Sequence, residues 1–397
     1  RLESPTGFTL VEKADVEVTS EVEKILNEKG EVDVIVKVKE AEGVLFFGDK
    51  EADIEEVKNS LGKTEFVENK DLVEIDAFSG TINENGLEKL KENPNVDIIQ
   101  VDHVFEIGLQ DTVNLINAGY FFDKKVVNNI TGKNIGVCVL DTGIDYNHPD
   151  LMDNYVAGYD FYNNDNNVMD DHGHGTHVSG IVQGVAPDVT LVHNKVLGSA
   201  GSGGESNIIS GINSCITNED IYNIKVITMS LGAGEFDSYC DSTFPLLADA
   251  INNAVNQGIS VIASSGNVDS FVPNISKISA PGCIETTMPV GATDKSDNLA
   301  SYGKRNNLVR IMAPGSSINS TSLSGGYLTL SGTSMSAPHF AGVIALAQQY
   351  NFEENGAYLD VSILENLFDI NGVNVSNYSR INVYNALETL DNSYPEL

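Results

Sequence analysis

Between residues 134 and 293 the chain carries five apolar runs rich in β-branched side chains: NIGVCVLDTG, VTLVHNKVL, KVITMSLG, ISVIASSGN and TMPVGAT. A strand with one wet face alternates apolar and polar positions. These runs do not alternate, so they predict strands of a parallel sheet covered on both faces. Helix-period stretches between them predict helices near 174 to 184, 206 to 217 and 243 to 257, with another over 335 to 350. Strand and helix in alternation make an α/β fold with an open, doubly wound parallel sheet. Its ligand crevice lies beyond the carboxyl ends of the strands.

The first 109 residues follow another pattern. EVDVIVKVKE alternates with period two and predicts a strand; a helix follows near Asp53 to Leu61, then strands over 64 to 69 and 71 to 78, a helix in NENGLEKLKENP and a strand in VDIIQVDHV. This βαββαβ order is that of a small ferredoxin-like α+β domain. Charge marks the same division. Residues 1 to 109 hold 27 acidic and 12 basic side chains, against 30 and 11 in the much longer remainder. That shift places a domain boundary near residues 105 to 112 and gives two domains, 1–109 and 110–397. Nothing in the first looks catalytic: its only histidine, His103, has no evident partner.

Composition narrows the partners. A formal charge of −34 argues against nucleic acid or an anionic membrane surface, both polyanions. No window reaches the roughly 18 to 20 apolar residues of a membrane span. The chain opens at Arg1 without methionine, from which we expect that any signal segment has been removed.

Three polar signatures stand at strand or helix ends. Asp141 closes the apolar run VCVLDTGID. His174 opens a helical run in DDHGHGTHVSG, and Ser334 lies in SGTSMSAP, where a loop of small residues enters a helix. A helix start offers unpaired N–H groups and a positive dipole end, which suit a serine that must carry a developing oxyanion. Its ordinary alternative is a plain N-cap. A serine hydroxyl needs an imidazole to take its proton, and the imidazole needs a carboxylate to hold its tautomer. Asp, His and Ser in that chain order form one of the known triad arrangements.

DTGID, HGTHV and GTSMSAP resemble the three catalytic blocks of the subtilisin-like serine proteases, the subtilases, in order and suitably spaced. The resemblance is strong over 134 to about 350, and residues 32 to 104 resemble the family's inhibitory propeptide. It implies that Asp141 is the orienting acid, His174 the general base and Ser334 the nucleophile, with His177 structural. Asn267, in SSGNVDS, matches the side-chain donor to the oxyanion, the Ser334 N–H being the second donor. Substrate is then expected to lie extended between Ser230, Leu231 and Gly232 on one side and the loop containing Gly201 and Gly203 on the other. The pocket before the scissile bond is walled by Ser230 to Gly232 and by Ser264, Ser265 and Gly266, with Ser279 near its base. All are small and uncharged, so a large apolar side chain is expected there.

Further expectations follow from the same resemblance. No cofactor is required for the chemistry. The metal content is unknown: only Ile181, Val182 and Gln183 stand where many subtilisins insert a calcium loop, which leaves Asp150 without partners, and Arg310 occupies the place of an acid at a weaker site. Oxygen ligands do cluster from Asn163 to Asp171, as a hard cation or an ordinary polar loop requires. Cys138 and Cys215 are expected as small buried hydrophobes. Cys240 and Cys283 match segments bridged in some subtilases, which implies a disulfide and a secreted, oxidising setting. The first domain acts as intramolecular inhibitor, cut between about Glu106 and Asp111 with Leu109 before the cut. The rival readings are a metal-dependent hydrolase on His172, His174, His177, Asp170 and Asp171, and a pseudoprotease that only binds. An α/β-hydrolase is excluded, since the serine lacks Gly-x-Ser-x-Gly.

Overall fold

The computed structural model describes residues 16–39, 50–72, 77–101, 110–118, 130–268 and 273–393. His103, Leu109 and most of the expected cleavage segment lie outside them. The chain divides into two compact units, Arg1–Phe105 and Glu106–Leu397.

The first unit runs β1 (Glu17–Val18), α1 (Ser20–Lys29), β2 (Glu31–Val38), α2 (Lys50–Asn59), β3 (Phe66–Leu72), β4 (Ala77–Asn83), α3 (Glu84–Glu92) and β5 (Val96–Val101). Its sheet has the order β1-β5-β2-β4-β3. The last four strands give the ferredoxin-like order, extended by β1 and α1. Val32, Val34, Val36 and Val38 of β2 are buried, while Glu31, Asp33 and Lys37 face water. The two middle strands begin later than the sequence suggests, at 66 and 77 rather than 64 and 71. Ser79, Gly80 and Thr81 resemble a turn, yet they are strand: the Phe66 ring lies across Gly80, where a Cβ would fall 2.2 Å from it.

The second unit runs α4 (Gln110–Leu115), β6 (Gly136–Asp141), β7 (Tyr155–Asp160), α5 (His174–Val185), β8 (Thr190–Lys195), α6 (Glu205–Thr217), α7 (Glu219–Tyr222), β9 (Ile224–Met229), β10 (Ala233–Phe236), α8 (Pro245–Asn256), β11 (Ser260–Ser264), β12 (Ile278–Ala280), β13 (Met288–Thr293), β14 (Ile311–Pro314), β15 (Ile318–Ser322), β16 (Gly326–Leu330), α9 (Thr333–Asn355), α10 (Val361–Asn371), β17 (Val373–Val375), β18 (Tyr378–Arg380) and α11 (Val383–Ser393). Nine strands form one sheet in the order β17-β18-β14-β13-β11-β9-β6-β8-β7, with only β17 antiparallel to its neighbour. The chain runs from β6 out to β7, returns through β8 and then crosses to β9. That reversal beside β6 puts a crevice at its carboxyl end.

β6 shows why its sequence does not alternate. Val137 and Val139 belong to a core with α5 and α9, whereas Cys138 and Leu140 belong to a second core with α6 and α8. Cys138 is therefore one packed layer from α6. The expectation that Cys138 and Cys215 are free buried hydrophobes is corrected here: they form a disulfide, with Cα atoms 6.1 Å apart. Separated by 77 residues, they meet only because α6 covers β6. Cys240 and Cys283 form the second bridge, leaving no free cysteine among the described residues.

Peptide mapping without reduction should recover both pairs, Cys138–Cys215 and Cys240–Cys283. Replacing the first with Cys138→Ala and Cys215→Ala should lower stability by about 2–4 kcal/mol in denaturant unfolding of the full chain. Free thiols at 138 and 215 in the native protein would contradict the pairing.

Candidate active site

Asp141 ends β6 and has no exposed surface. A buried carboxylate must be paired or hydrogen-bonded. Its Oδ1 accepts from the Thr142 N–H at 2.8 Å and faces His174 Nδ1 at 2.7 Å. The first turn of α5 brings His174 there. Gly175 is what allows so close an approach, since a Cβ on it would fall 2.2 Å from the Gly143 carbonyl and 3.1 Å from the Asp141 Cβ. The start of α5 is capped by Asp170: Oδ1 accepts from the N–H groups of His172 and Gly173 and from the Thr142 hydroxyl, and Oδ2 from the N–H and hydroxyl of Thr176. Burial pushes the Asp170 pKa up, and these donors outweigh it, so the net shift is downward. A charged Asp170 thus lies at the positive end of α5.

His174 feels opposing influences. Burial lowers its pKa; the Asp141 charge and hydrogen bond, with Asp170, outweigh this and raise it above 6.5. A ring with Nδ1 held by a carboxylate leaves Nε2 as the nitrogen able to accept a proton. His177, one turn on, is set apart from the chemistry, its Nε2 lying 2.9 Å from the Leu328 carbonyl and its pKa lowered by burial to about 4.

Ser334 lies at the second position of α9. From Thr333 to Asn351 every residue of that helix is buried except Ser334. Its Oγ donates to the Ser230 carbonyl at 3.3 Å, and the Ser230 hydroxyl donates to the Ser334 carbonyl at 2.8 Å. The end of β9 and the start of α9 are thereby braced together. Thr333 ties in the third loop. Its N–H and hydroxyl both bond Asn267 Oδ1, at 3.0 and 3.1 Å, and the Gly266 N–H donates to the hydroxyl at 3.2 Å. With its oxygen held, Asn267 has its amide N–H groups left to donate, and Nδ2 lies 3.2 Å from where a Cβ on Gly332 would be. These braces through Thr333, Ser230 and Asp170 went unread in the sequence, because hydroxyls and turn aspartates are common and only their partners distinguish them.

A cavity of about 320 Å³ is lined by Thr142, His174, Gly201, Gly203, Ser230, Leu231 and Gly232, among others, with Ile208, Phe244 and Leu247 as an apolar wall. The two expected sides of the substrate path meet there. Ser264, Ser265 and Gly266 are not among its lining; Ser264 Oγ donates to the Leu231 carbonyl at 3.3 Å, and Ser265 Oγ to the Lys304 carbonyl at 2.6 Å. Behind Gly266 runs a charged pair that the sequence did not signal. Lys304, fully buried, donates to Glu235 Oε1 at 3.0 Å, and its Cδ lies 3.2 Å from a Cβ placed on Gly266.

The clustered histidines and aspartates diverge. His174 turns to Asp141, Asp170 caps α5, and Asp171 pairs with Lys195 at 2.7 Å. Asp160 accepts from Tyr162 and Asn163, and Asp165 from Asn167. Asp150 accepts from the Tyr327 hydroxyl, and Arg310 pairs with Glu365. Among the described residues no group of three or more His, Cys, Asp or Glu could hold a metal ion, and no helix is long and apolar enough to cross a membrane.

A model described as the Subtilase family matches residues 132–363. Alkaline serine exoprotease A of Vibrio alginolyticus is 32% identical over 306 residues, covering 73% of this chain and 55% of that protein. The chain thus spans just over half the length of that relative. Subtilisin E of Bacillus subtilis (strain 168) is 35% identical over 285 residues, covering 68% of this chain and 70% of that protein. Among solved structures, a cold adapted subtilisin-like serine proteinase is 31% identical with a TM-score of 0.54, covering 66% of this chain and 93% of the other.

Two outcomes follow from this geometry. Asn267→Ala should lower kcat by about 10²–10³, the cost that subtilisins themselves set for losing such a donor, whereas Thr333→Val, which only loosens Asn267, should lower it by roughly tenfold with KM nearly unchanged. Equal losses in the two variants would count against a positioning role for Thr333. The base must be neutral, so kcat/KM should fall with decreasing pH through a pKa above 6.5. The same raised pKa makes protonated His174 stabilising below 6.5, and that contribution is lost as pH rises through the folded value. An acid limb centred below 6.5 would contradict the balance of charges described.

Proposed function

The chain belongs to the subtilase family of subtilisin-like serine endopeptidases, and on that premise we propose that it is a secreted zymogen hydrolysing peptide bonds through Asp141, His174 and Ser334. The observation that carries this reading is the 2.7 Å pairing of a fully buried Asp141 with His174, in a chain whose helix α9 leaves Ser334 as the one residue from Thr333 to Asn351 that is not buried.

In the reaction a peptide lies along Ser230 to Gly232, pairing its backbone with theirs. Ser334 Oγ attacks the carbonyl carbon while His174 takes its proton, and Asp141 stabilises the resulting imidazolium. The oxyanion receives the Ser334 N–H, free at the helix start, and the Asn267 amide. His174 then protonates the leaving amine, and an acyl-enzyme remains on Ser334. Water then attacks the acyl carbon as His174 takes its proton, and the acid leaves as the Ser334 Oγ–acyl bond breaks and His174 returns the proton to Oγ. The Ile208, Phe244 and Leu247 wall favours large apolar side chains in the substrate.

The ferredoxin-like unit serves as propeptide and intramolecular inhibitor, removed by self-cleavage near residue 109. Its concentrated charge suits a domain that must separate after the cut. Two disulfides support a secreted setting.

Purified full-length chain should process itself and then degrade an unfolded protein, whereas Ser334→Ala should do neither. N-terminal sequencing of the processed enzyme should start within residues 106 to 112. Self-processing by pure Ser334→Ala would overturn the triad, and a start outside that window the boundary.

A further inference from the structure

His193, in the middle of β8, is fully buried, and neither ring nitrogen meets a partner at full hydrogen-bond geometry, the Gly175 backbone of α5 giving it only a weak contact. β8 pairs with β6 at Val139↔His193 and Asp141↔Lys195. Residues two apart on a strand share a face, and Leu191 of β8 packs in the same core as Val137 and Val139 of β6. His193 and Asp141 therefore both point from the sheet toward α5. The helix meets them with Gly175, against the Asp141 Cβ, and one turn later with Ser179 on the same stripe. Ser179 is fully buried too, and its hydroxyl is unpartnered. So is Asp141 Oδ2, the carboxylate oxygen that His174 does not face.

Three side chains with unpartnered polar atoms in one layer demand an explanation, because each such atom costs about 1–3 kcal/mol when left unsatisfied. Their chemistry is complementary. A carboxylate only accepts, a neutral imidazole has one donor and one acceptor, and a hydroxyl can do both. None lies within hydrogen-bond reach of another, and a water shared among two to four polar groups answers that need. Burial holds the His193 pKa down to about 4, so the ring is neutral with one N–H to give. The charged groups that face it are Asp141 from β6, Lys195 from β8 and Asp170 from the segment before α5. Those facing His174 are Asp141 and Asp170, with His177 on α5 and the His172 ring 6.3 Å away.

We propose that His193, joined through buried water to Asp141 Oδ2 and Ser179 Oγ, is a positioning residue that holds the second oxygen of the catalytic carboxylate. This rests on the reading of Asp141 and His174 as the acid–base pair. A donor on Oδ2 draws charge away from Oδ1. Without it the carboxylate holds the imidazolium more tightly and rotates more freely.

The test uses the processed enzyme with His193→Leu, His193→Gln and Ser179→Ala, read by the pH dependence of kcat/KM and by the low-field proton resonance of the His174–Asp141 hydrogen bond. His193→Leu should raise the acid-limb pKa by ~0.5 and lower kcat roughly tenfold, with KM within about twofold of the parent. Ser179→Ala should shift the limb the same way by less, and His193→Gln, which keeps an N–H, should restore most of the parent profile. A folded His193→Leu with the parent acid limb and resonance overturns the proposal, as does a change in melting temperature alone. Should His193→Leu not fold, an unmoved resonance in Ser179→Ala overturns it equally. Hydrolysis retained in Ser334→Ala would instead remove the underlying triad.

Discussion

A carboxylate that cannot reach water governs this molecule. Asp141 ends a strand covered on both faces, and a carboxyl group buried there needs fixed donors to meet it. One is the next residue's own N–H; another is an imidazole that α5 must deliver to within 2.7 Å. The helix can come that close only over Gly175, and it begins where it does because Asp170 caps it. The requirements of burial and those of the proposed general base thus coincide in the same few atoms. A stable fold and a correctly held histidine follow from one arrangement.

The surroundings of Ser334 are organised by hydroxyls instead of charges. Ser230 and Ser334 exchange side-chain and backbone bonds, and Thr333 gathers Gly266 and Asn267 onto the start of α9. The carboxyl end of β9, the loop after β11 and a helix N-terminus are therefore tied at one point, each contributing what it has free there. The buried body of α9 below that point acts as a rigid post. Precision comes from packing a helix that is buried on every side, so Ser334 is displayed by elimination as the residue the core does not claim.

Much of this was legible in the chain. The strands β6, β8, β9, β11 and β13 announce themselves because burial on two faces removes all polar alternation, and α5, α6, α8 and α9 follow from helical periodicity. β7, with its half-exposed YVAGYD, and the short strands β14, β17 and β18 carry too little apolar sequence to stand out. DTGID, HGTHV and GTSMSAP were legible as chemistry because their order and spacing are specific. Thr333, Asp170 and the Lys304–Glu235 pair were not, since each takes its meaning from a partner far away in sequence. Cys138 and Cys215 illustrate the same limit: one in a strand and one in a helix, each has the surroundings of a buried hydrophobe. Only the layer that α6 makes over β6 turns them into a bridge.

That bridge and the Asp141–His174 pair act on opposite faces of one strand. Through Cys138, β6 is bonded to α6; through Asp141, three residues on, it is held to α5. Asn194 of β8 adds a bond from the same layer to the Gly211 carbonyl of α6 at 3.0 Å. A strand clamped on one face alone could still tilt about that contact, carrying its terminal carboxylate sideways. With α6 covalently fixed beneath and α5 hydrogen-bonded above, the last turn of freedom at Asp141 is rotation of the carboxylate itself. The fold thus narrows the freedom of the carboxylate that holds His174 to a single side-chain torsion, the one that the proposed role of His193 would set.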